Sequence, residues 1–194
     1  MNDLMKHETY NKKDCAWFFS KKDNNFNLSN MNSLRVKYNG KVWHSSEQLY
    51  QACKYAGNVI CVPATSIGKK VQPNVRQRIM DSSNPMGAKM TQKCAVKAGL
   101  IRGDWEDVKI DNMLYVLKLK LKNNPVVFKR ALQNTGELNI VEISRKDKFW
   151  GTVEVEDDIL EGKNVLGKLL MAVRDDVENI LQEPLTEPAG FWLP

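Results

Sequence analysis

The sequence predicts an α+β fold dominated by helices, and three observations carry this prediction. The 194 residues suffice for one domain with a sizeable core and are too few for two comfortable ones. Short alternating segments near the N-terminus indicate strands. Apolar residues at helical spacing, preceded by Asn, Ser, Asp or Pro, recur through the rest of the chain and indicate helices.

The N-terminal part, residues 17–43, predicts short strands and loops. Residues 34–38 alternate between apolar and polar side chains, and residues 41–43 can form a returning strand. Between them stands Asn39-Gly40, a pair that favours the tight turn of a hairpin because both residues tolerate positive φ. This segment is therefore predicted to be a β-hairpin.

Six helices are expected downstream, each near a residue that favours a helix start. They are predicted to cover residues 47 to about 56, 74–81, 86–98, 105 to about 122, 126–133 and 164 to about 181. A short strand is predicted at 140–143, and Gly, Pro and Ser make 57–74 a surface loop. The tail 183–194 is expected to be irregular, with Phe191 and Trp192 packing back or meeting a partner.

Composition narrows the class of protein. Hydrophobic residues make up 42% and charged residues 27%, as in ordinary globular proteins. Every apolar run is soon broken by charge or Asn, and residues 1–11 contain no apolar stretch, so no membrane span or secretion signal is predicted. We therefore expect a cytoplasmic protein that does not engage a membrane. The net charge of +6 is compatible with a nucleotide, phosphate or nucleic-acid partner, and equally with mere solubility.

Cysteine and histidine are too sparse and scattered to predict a zinc site. The cysteines at 15, 53, 61 and 94 form no C-x-x-C pair, and the histidines are only His7 and His44. Reduced, partly buried thiols are the expected state. Neither a metal nor a cofactor is predicted.

The helix that begins near Glu47 carries two distinct faces. Apolar residues from Leu49 to Cys53 should pack inward. Glu47, Gln51 and Lys54 share another stripe, three and four residues apart, with Tyr50 beside them. The stripe is a candidate polar site, although a solvated face with an ordinary charge pair is the commoner outcome of such spacing.

Lys120 lies inside the apolar arc of the longest predicted helix, near the line of Met113 and Leu117, whereas Tyr115 and Lys118 are expected to face away. A lysine in that position must snorkel to water, pair with a carboxylate or occupy a pocket. A buried lysine loses its proton more easily and becomes a nucleophile able to form a Schiff base. Snorkelling is the more common outcome.

Aromatic residues near element boundaries are candidate surfaces for stacking a base. Phe19, Trp105 and Trp150 occupy such positions, and core packing is the alternative for each. Gly151, beside Trp150, and Gly167, near Asn164, would let the backbone approach a phosphate closely.

Five blocks of sequence, taken in order, resemble the NADAR (YbiA-like) family of N-glycosidases. They cover most of residues 17–180 and lie at 18–55, 84–90, 104–120, 142–151 and 164–174. Their most characteristic segments are Phe18-Phe19-Ser20, Leu28-Ser29-Asn30-Met31, Ser46-Glu47-Gln48-Leu49-Tyr50-Gln51, Asp104-Trp105 and Phe149-Trp150-Gly151. The resemblance implies a single YbiA-like domain with short N-terminal strands, predicted here at 17–181 between an N-terminal extension (1–16) and an irregular C-terminal tail (182–194).

The resemblance also implies cleavage of a ribose C1–N bond. One activity associated with the family removes ADP-ribose from guanine bases in DNA, paired with an ADP-ribosyltransferase; the other hydrolyses ribosylaminopyrimidine phosphates of the riboflavin pathway. The DNA-directed branch is the one that segments 28–31 and 142–151 and the tail resemble more closely. We therefore expect the partner to be an ADP-ribosylated nucleotide or ADP-ribosylated DNA, which is expected to be single-stranded. A non-catalytic module that binds ADP-ribose-like ligands stays open as a different class.

The candidate site follows from the chemistry of that bond. Positive charge develops on the sugar, so Glu47 and Asp147 are the candidate carboxylates, with Lys120 as an alternative nucleophile through a Schiff base. The candidate substrate-binding residues share an aromatic ring, a polar head group or backbone access; they are Phe19, Asn30, Gln51, Lys54, Trp105, Lys109, Trp150, Gly151 and Asn164.

Overall fold

A computed structural model describes residues 3–61 and 74–194, and these form the predicted helix-dominated α+β fold. The strands are β1 (Glu8–Asn11), β2 (Cys15–Phe18), β3 (Val36–Tyr38), β4 (Lys41–Trp43), β5 (Asn139–Glu142), β6 (Val153–Glu156) and β7 (Ile159–Gly162). The α-helices are α1 (Ser46–Ala52), α2 (Val75–Met80), α3 (Pro85–Thr91), α4 (Lys93–Lys97), α5 (Trp105–Asn123), α6 (Pro125–Gln133), α7 (Val165–Asp175) and α8 (Val177–Gln182). Most of the loop predicted at 57–74 lies outside the described residues.

The chain forms two compact units. Of the described residues, the first unit comprises 3–32 and 124–184, and the second unit comprises 33–61, 74–123 and 185–194. The boundaries predicted at 17 and 181 stay a prediction.

Two small sheets organise the first unit. β7 lies between β1 and β6, antiparallel to both, while β2 pairs with β5 in parallel. A buried hydrophobic cluster within the first unit consists of Tyr10, Val141 and Leu160. The hairpin β6–β7 and the strand β1 were not predicted, whereas β5 matches the predicted strand 140–143 to within one residue.

The second unit begins with the predicted hairpin. Val36 pairs with Trp43 and Tyr38 with Lys41, and the intervening Asn39 and Gly40 both have positive φ (48° and 67°), as the Asn-Gly pair required. Helix α1 begins shortly after the hairpin. The hydroxyl of Ser45 caps its first turn by accepting a hydrogen bond of 3.2 Å from the backbone amide of Gln48.

Three predicted helices are shorter than expected. The helix predicted to reach residue 56 ends at Ala52, whose carbonyl accepts the amide of Tyr55. The helix predicted at 86–98 is interrupted at Gln92, and the last helix is interrupted at Asp176. The predictions for α2, α5 and α6 are confirmed to within a few residues at each end.

The tail packs back on the second unit, as one of the two expected outcomes. Phe191 is fully buried, with its ring edge-on to Tyr38 at 5.1 Å and to Tyr115 at 4.7 Å. The expectation that Tyr115 faces away from the core is therefore wrong, because the tail supplies an aromatic partner from far along the sequence.

Within residues 3–61 and 74–194, none of the helices is long and apolar enough to cross a membrane.

Candidate functional site

Glu47 is a buried carboxylate at the first turn of α1. Only 5% of the residue is exposed. Its Oε1 accepts a hydrogen bond from Nε2 of Gln51 at 2.7 Å and lies 3.1 Å from Nζ of Lys89, a residue of α3. A charge removed from water needs such partners, so the alternative of a solvated face is wrong for this stripe.

The partners of Glu47 continue into a chain of side-chain amides. The side chain of Gln92 donates to Oε1 of Gln51, and the hydroxyl of Tyr55 donates to Oε1 of Gln92 at 2.8 Å. Each amide thereby accepts at its oxygen and donates from its nitrogen, so the chain orients the two donors in one direction, toward the carboxylate. Among the described residues, the hydrogen bond and the ion pair of Glu47 are both made to Oε1 and not to Oε2.

Gln92 and Lys89 were not among the predicted site residues. Lys89 lies in the block 84–90, whose resemblance to the family is the one signal in the sequence that could have indicated a role for this lysine. Gln92 had none, because a glutamine between two short helices is most often a surface residue.

An aromatic and cationic cluster adjoins Glu47. The rings of Tyr50 and Trp105 are 5.2 Å apart and tilted, and Nζ of Lys54 lies 5.7 Å and 5.5 Å from their respective centroids. Burial lowers the pKa of Lys54, an effect opposed by the negative charge of Glu47. The predicted residues Glu47, Gln51, Lys54 and Trp105 are thus brought together in the second unit.

Lys120 is fully buried in α5. The expectation that it snorkels to solvent is wrong, since none of the side chain reaches the surface. Burial lowers the pKa of this ammonium to about 7, so a large fraction of Lys120 is neutral near neutral pH. A neutral amine is the form that adds to an imine or aldehyde carbon.

Lys109, one turn into α5, is paired locally. Its ammonium contacts Glu106, which is largely exposed while the lysine side chain is mostly buried. An ion pair with one exposed partner contributes little to stability.

Asp147 holds a turn in the first unit. Its Oδ1 accepts the backbone amides of Phe149 at 2.9 Å and Trp150 at 3.0 Å, and its own amide donates to Oγ of Ser144 at 3.1 Å. The residue is exposed. Its carboxylate therefore sets the position of Trp150, which is half-buried with its ring edge-on to Phe149 at 5.1 Å.

Asn164 ties β5 to the start of α7. Its backbone is left-handed, with φ of 49°, and the residue is fully buried. Its Oδ1 accepts the amide of Glu142 at 3.2 Å, and its Nδ2 donates to the carbonyl of Ile140 at 2.8 Å. The side-chain amide thus has a structural task, and contact with a substrate stays a prediction.

The glycines near this segment are required by close backbone packing. A Cβ on Gly151 would lie 2.6 Å from the carbonyl oxygen of Glu142, and one on Gly167 would overlap the carbonyl of Ile140. This accounts for both glycines without a phosphate, whose approach to Gly151 stays a prediction.

Phe19 and Asn30 have opposite environments in the first unit. Asn30 is buried. Phe19 is 49% exposed and lines a cavity of about 380 Å³, whose lining also includes Trp17, the cations Lys12 and Arg145 and the carboxylates Asp23 and Glu154. Aromatic rings beside cations suit the stacking of a base, and Lys12 is already paired with Glu154 at 3.3 Å. Phe19, Asp147 and Trp150 belong to the first unit, and their convergence with Glu47 stays a prediction.

Comparison with known proteins identifies relatives over most of the chain. The family model described as the NADAR domain matches residues 9–178. The chain is 28% identical over 160 residues to N-glycosidase YbiA of Escherichia coli, covering 82% of this chain and 86% of YbiA. It is 25% identical over 163 residues to riboflavin biosynthesis protein VVA0006 of Vibrio vulnificus, but spans only 38% of that longer protein.

A solved structure confirms the similarity in three dimensions. The NMR structure of the Escherichia coli protein YbiA superposes with a TM-score of 0.64 at 27% identity. The match covers 89% of this chain and 90% of YbiA. The single YbiA-like domain expected from the sequence is thereby confirmed.

Proposed function

The chain belongs to the NADAR family and is an N-glycosidase, a hydrolase acting on N-glycosyl compounds, and we propose that its reaction removes ADP-ribose from guanine bases in DNA. The observation that carries the proposal is the buried carboxylate of Glu47, held by Gln51 and Lys89 beside the cluster of Tyr50, Lys54 and Trp105.

Glu47 would act on the sugar. Breaking the C1–N bond builds positive charge on the ribose, and a fixed carboxylate in a buried setting stabilises that charge strongly. Because Gln51 and Lys89 both engage Oε1, the carboxylate cannot rotate freely, and Oε2 would face C1 or the attacking water. Water adds to C1, and the guanine amine leaves with a proton.

Lys54 and Trp105 would position the substrate. The indole face suits stacking on a base or excluding water from the sugar. The ammonium of Lys54, partly desolvated, would attract the diphosphate of ADP-ribose, to which Lys109 adds a second cation once Glu106 is displaced.

Asp147 and Trp150 would contribute from the first unit. The sequence marked Asp147 as a second catalytic carboxylate, yet its Oδ1 already holds two backbone amides. An oxygen that already accepts two backbone amides suits the positioning of Trp150. We therefore propose positioning as the main role of Asp147, with proton donation to the leaving amine as the alternative.

A second chemical route uses Lys120, and it requires the substrate to reach a side chain that is fully buried. A glycosylamine opens to an imine, and a neutral lysine can displace the amine to form a Schiff base at C1. The lowered pKa of Lys120 favours the reactive form at neutral pH. Borohydride separates the routes, because only the lysine route leaves a reducible covalent adduct on the protein.

Two observations favour DNA as the molecule that contains the modified base: the positive net charge of the chain and the cavity lined by Phe19. The chain carries a net charge of +6, and the cavity combines the rings of Phe19 and Trp17 with Arg145, a cation, while its other cation, Lys12, is paired with Glu154. A flanking base could stack there while its phosphate meets the cations. Pairing with an ADP-ribosyltransferase that makes the modification follows from the same proposal.

A ribosylaminopyrimidine phosphate is the second candidate substrate. It is favoured by the relative named riboflavin biosynthesis protein VVA0006, which matches 84% of this chain. A substrate of this size needs a ribose, a phosphate and one ring, so it makes no demand on the cavity at Phe19.

Product analysis tests both candidates. The protein is incubated with a guanine-ADP-ribosylated oligonucleotide and, separately, with a ribosylaminopyrimidine phosphate, and products are resolved by mass spectrometry. The proposal expects free ADP-ribose and unmodified oligonucleotide. Cleavage of the pyrimidine compound alone would establish the second candidate, and tight binding of both without turnover would favour a non-catalytic module.

A further inference from the structure

A second cavity in the second unit has no part in the proposed reaction. Its volume is about 140 Å³, and its walls come from the β3–β4 hairpin, α2 and the tail, including Lys41, Trp43, Arg76 and Trp192. A molecule of liquid water occupies about 30 Å³, so the space suits a group of a few heavy atoms.

Two residues that line this cavity carry a buried donor without an acceptor. Trp43 is 2% exposed and Arg76 is 7% exposed. Within the part of the chain that the structure describes, Nε1 of Trp43 and one terminal nitrogen of Arg76 meet no hydrogen-bond partner. Leaving a buried donor unsatisfied costs about 1–3 kcal/mol, and more for a charged group, so both donors call for an acceptor.

Arg76 is held in place by its other contacts. Its Nε donates to the carbonyl of Ala52 at 3.3 Å, and its guanidinium carbon lies 3.9 Å from the ring centroid of Trp192. Stacking and a backbone bond fix the plane of the guanidinium, which leaves the unpaired nitrogen as a preorganised donor.

The charges around the cavity favour an anion. Its described lining contains the cations Lys41 and Arg76 and no carboxylate. The nearby Glu187 accepts a hydrogen bond from the hydroxyl of Tyr38 at 2.8 Å. Burial lowers the pKa of Arg76, but a guanidinium remains protonated at neutral pH.

We propose that this cavity binds a phosphate group, with Nε1 of Trp43 and the guanidinium of Arg76 as its buried donors and Lys41 at its rim. A tetrahedral oxyanion offers acceptors in several directions at once, so it can satisfy an indole N–H and a guanidinium N–H that approach from different elements. The phosphate is either a free ion or the terminal phosphate of a nucleotide or an oligonucleotide. This site is independent of the proposed glycosidase reaction.

Titration of the full chain with inorganic phosphate, followed by NMR of the tryptophan indole N–H groups, tests the proposal. The chain has five tryptophans, and the Trp43→Phe variant identifies the Trp43 signal while keeping an aromatic ring. We expect a saturable shift of that indole resonance with phosphate and not with chloride at equal ionic strength. Repeating the titration with 5′-phosphorylated and 5′-hydroxyl dinucleotides distinguishes a free phosphate from a terminal one.

Variants then weigh the two donors. Trp43→Phe and Arg76→Lys should each weaken phosphate binding about tenfold, the loss expected for a hydrogen bond to a charged group. Arg78→Lys is the matched control, because Arg78 lies on the same helix but donates to the carbonyls of Cys61 and Thr91. Should Trp43→Phe fail to fold, the wild-type titration still decides. If no indole resonance responds to phosphate or to the phosphorylated dinucleotide, water satisfies these donors and the proposal is overturned.

Discussion

The side-chain amide of Gln51 donates a hydrogen bond of 2.7 Å to Oε1 of Glu47, one turn earlier on α1. The same oxygen lies 3.1 Å from Nζ of Lys89, and the amide of Gln51 is itself oriented by Gln92. The buried carboxylate is thus fixed by one donor from its own helix and one from α3. Its orientation is a property of the fold, which is the condition for stabilising a charge that exists only in the transition state.

Removing the amide at position 51 should slow the reaction without removing the carboxylate. Gln51→Leu deletes a hydrogen bond to a charged group, so we expect kcat to fall about tenfold to hundredfold with a smaller change in KM. Steady-state kinetics measures the split. Gln182→Leu, an exposed change in α8, is the control. A Gln51→Leu enzyme with wild-type kcat would show that Glu47 needs no positioning.

Two substitutions at Asp147 separate positioning from proton donation. Asp147→Asn keeps Oδ1 as an acceptor for the amides of Phe149 and Trp150, whereas Asp147→Ala removes it. We expect the Asn variant to retain activity within a few-fold and the Ala variant to lose about tenfold or more, as a displaced Trp150 costs substrate alignment. Equal, large losses in both variants would assign the proton transfer to Asp147.

Lys120 should make stability depend on pH. Burial lowers its pKa in the folded state from 10.5 to about 7, so the unfolded chain binds more protons between these values. The contribution of Lys120 to the free energy of unfolding of the wild-type protein therefore rises as the pH increases from about 7 to 10.5. The free energy of unfolding of Lys120→Met lacks this dependence on pH. The variant should therefore exceed wild type in stability most below pH 7, by at most about 5 kcal/mol, and the difference should shrink toward pH 10.5.

Urea unfolding of both proteins at pH 6.5, 8 and 9.5 measures that difference. Lys118→Met, a half-buried change on the same helix, controls for added hydrophobicity. Parallel stability curves for wild type and Lys120→Met would mean that Lys120 titrates in the folded protein as it does in the unfolded chain.

Gly167 should be intolerant of a side chain. A Cβ there would overlap the carbonyl oxygen of Ile140, a backbone atom of β5 that cannot move cheaply. We expect Gly167→Ala to lower the free energy of unfolding by about 1–3 kcal/mol or more. Gly103→Ala, where a Cβ would meet open space, should change it little. Equal effects in urea unfolding would refute the close approach of α7 to β5.

Local signals in the sequence predicted much of the fold. Asn39-Gly40 specified a hairpin turn that needs two positive φ values, and Asn84 with Pro85 specified a helix start. The β6–β7 hairpin was missed although its valines and glutamates alternate, because its turn places Asp158, rather than a glycine, at positive φ (65°). Asp adopts positive φ less often than Gly does, so the sequence does not indicate a turn at this position.

The site was predictable where one helix carried it. Glu47 and Gln51 share a stripe of α1, and Lys54, two residues past the end of that helix, continues the stripe, so spacing alone placed the three together. Lys89 reaches the carboxylate of Glu47 from α3, Gln92 orients Gln51 from the residue after α3, and only tertiary structure shows these two contacts. Tyr115 was expected to face solvent because its partner, Phe191, lies in a tail whose return no local pattern encodes.

The rate of a Glu47→Gln variant, compared with wild type on the substrate that the enzyme turns over, tests the central claim most directly. Glutamine keeps the shape and the contact with Gln51 but removes the charge, and Glu178→Gln, on the exposed surface, is the matched control. We predict a fall in kcat of about 10²–10⁴-fold with an intact fold by circular dichroism, and no change for Glu178→Gln. A Glu47→Gln enzyme that turns over at the wild-type rate would contradict the claim that this buried carboxylate stabilises the ribosyl cation.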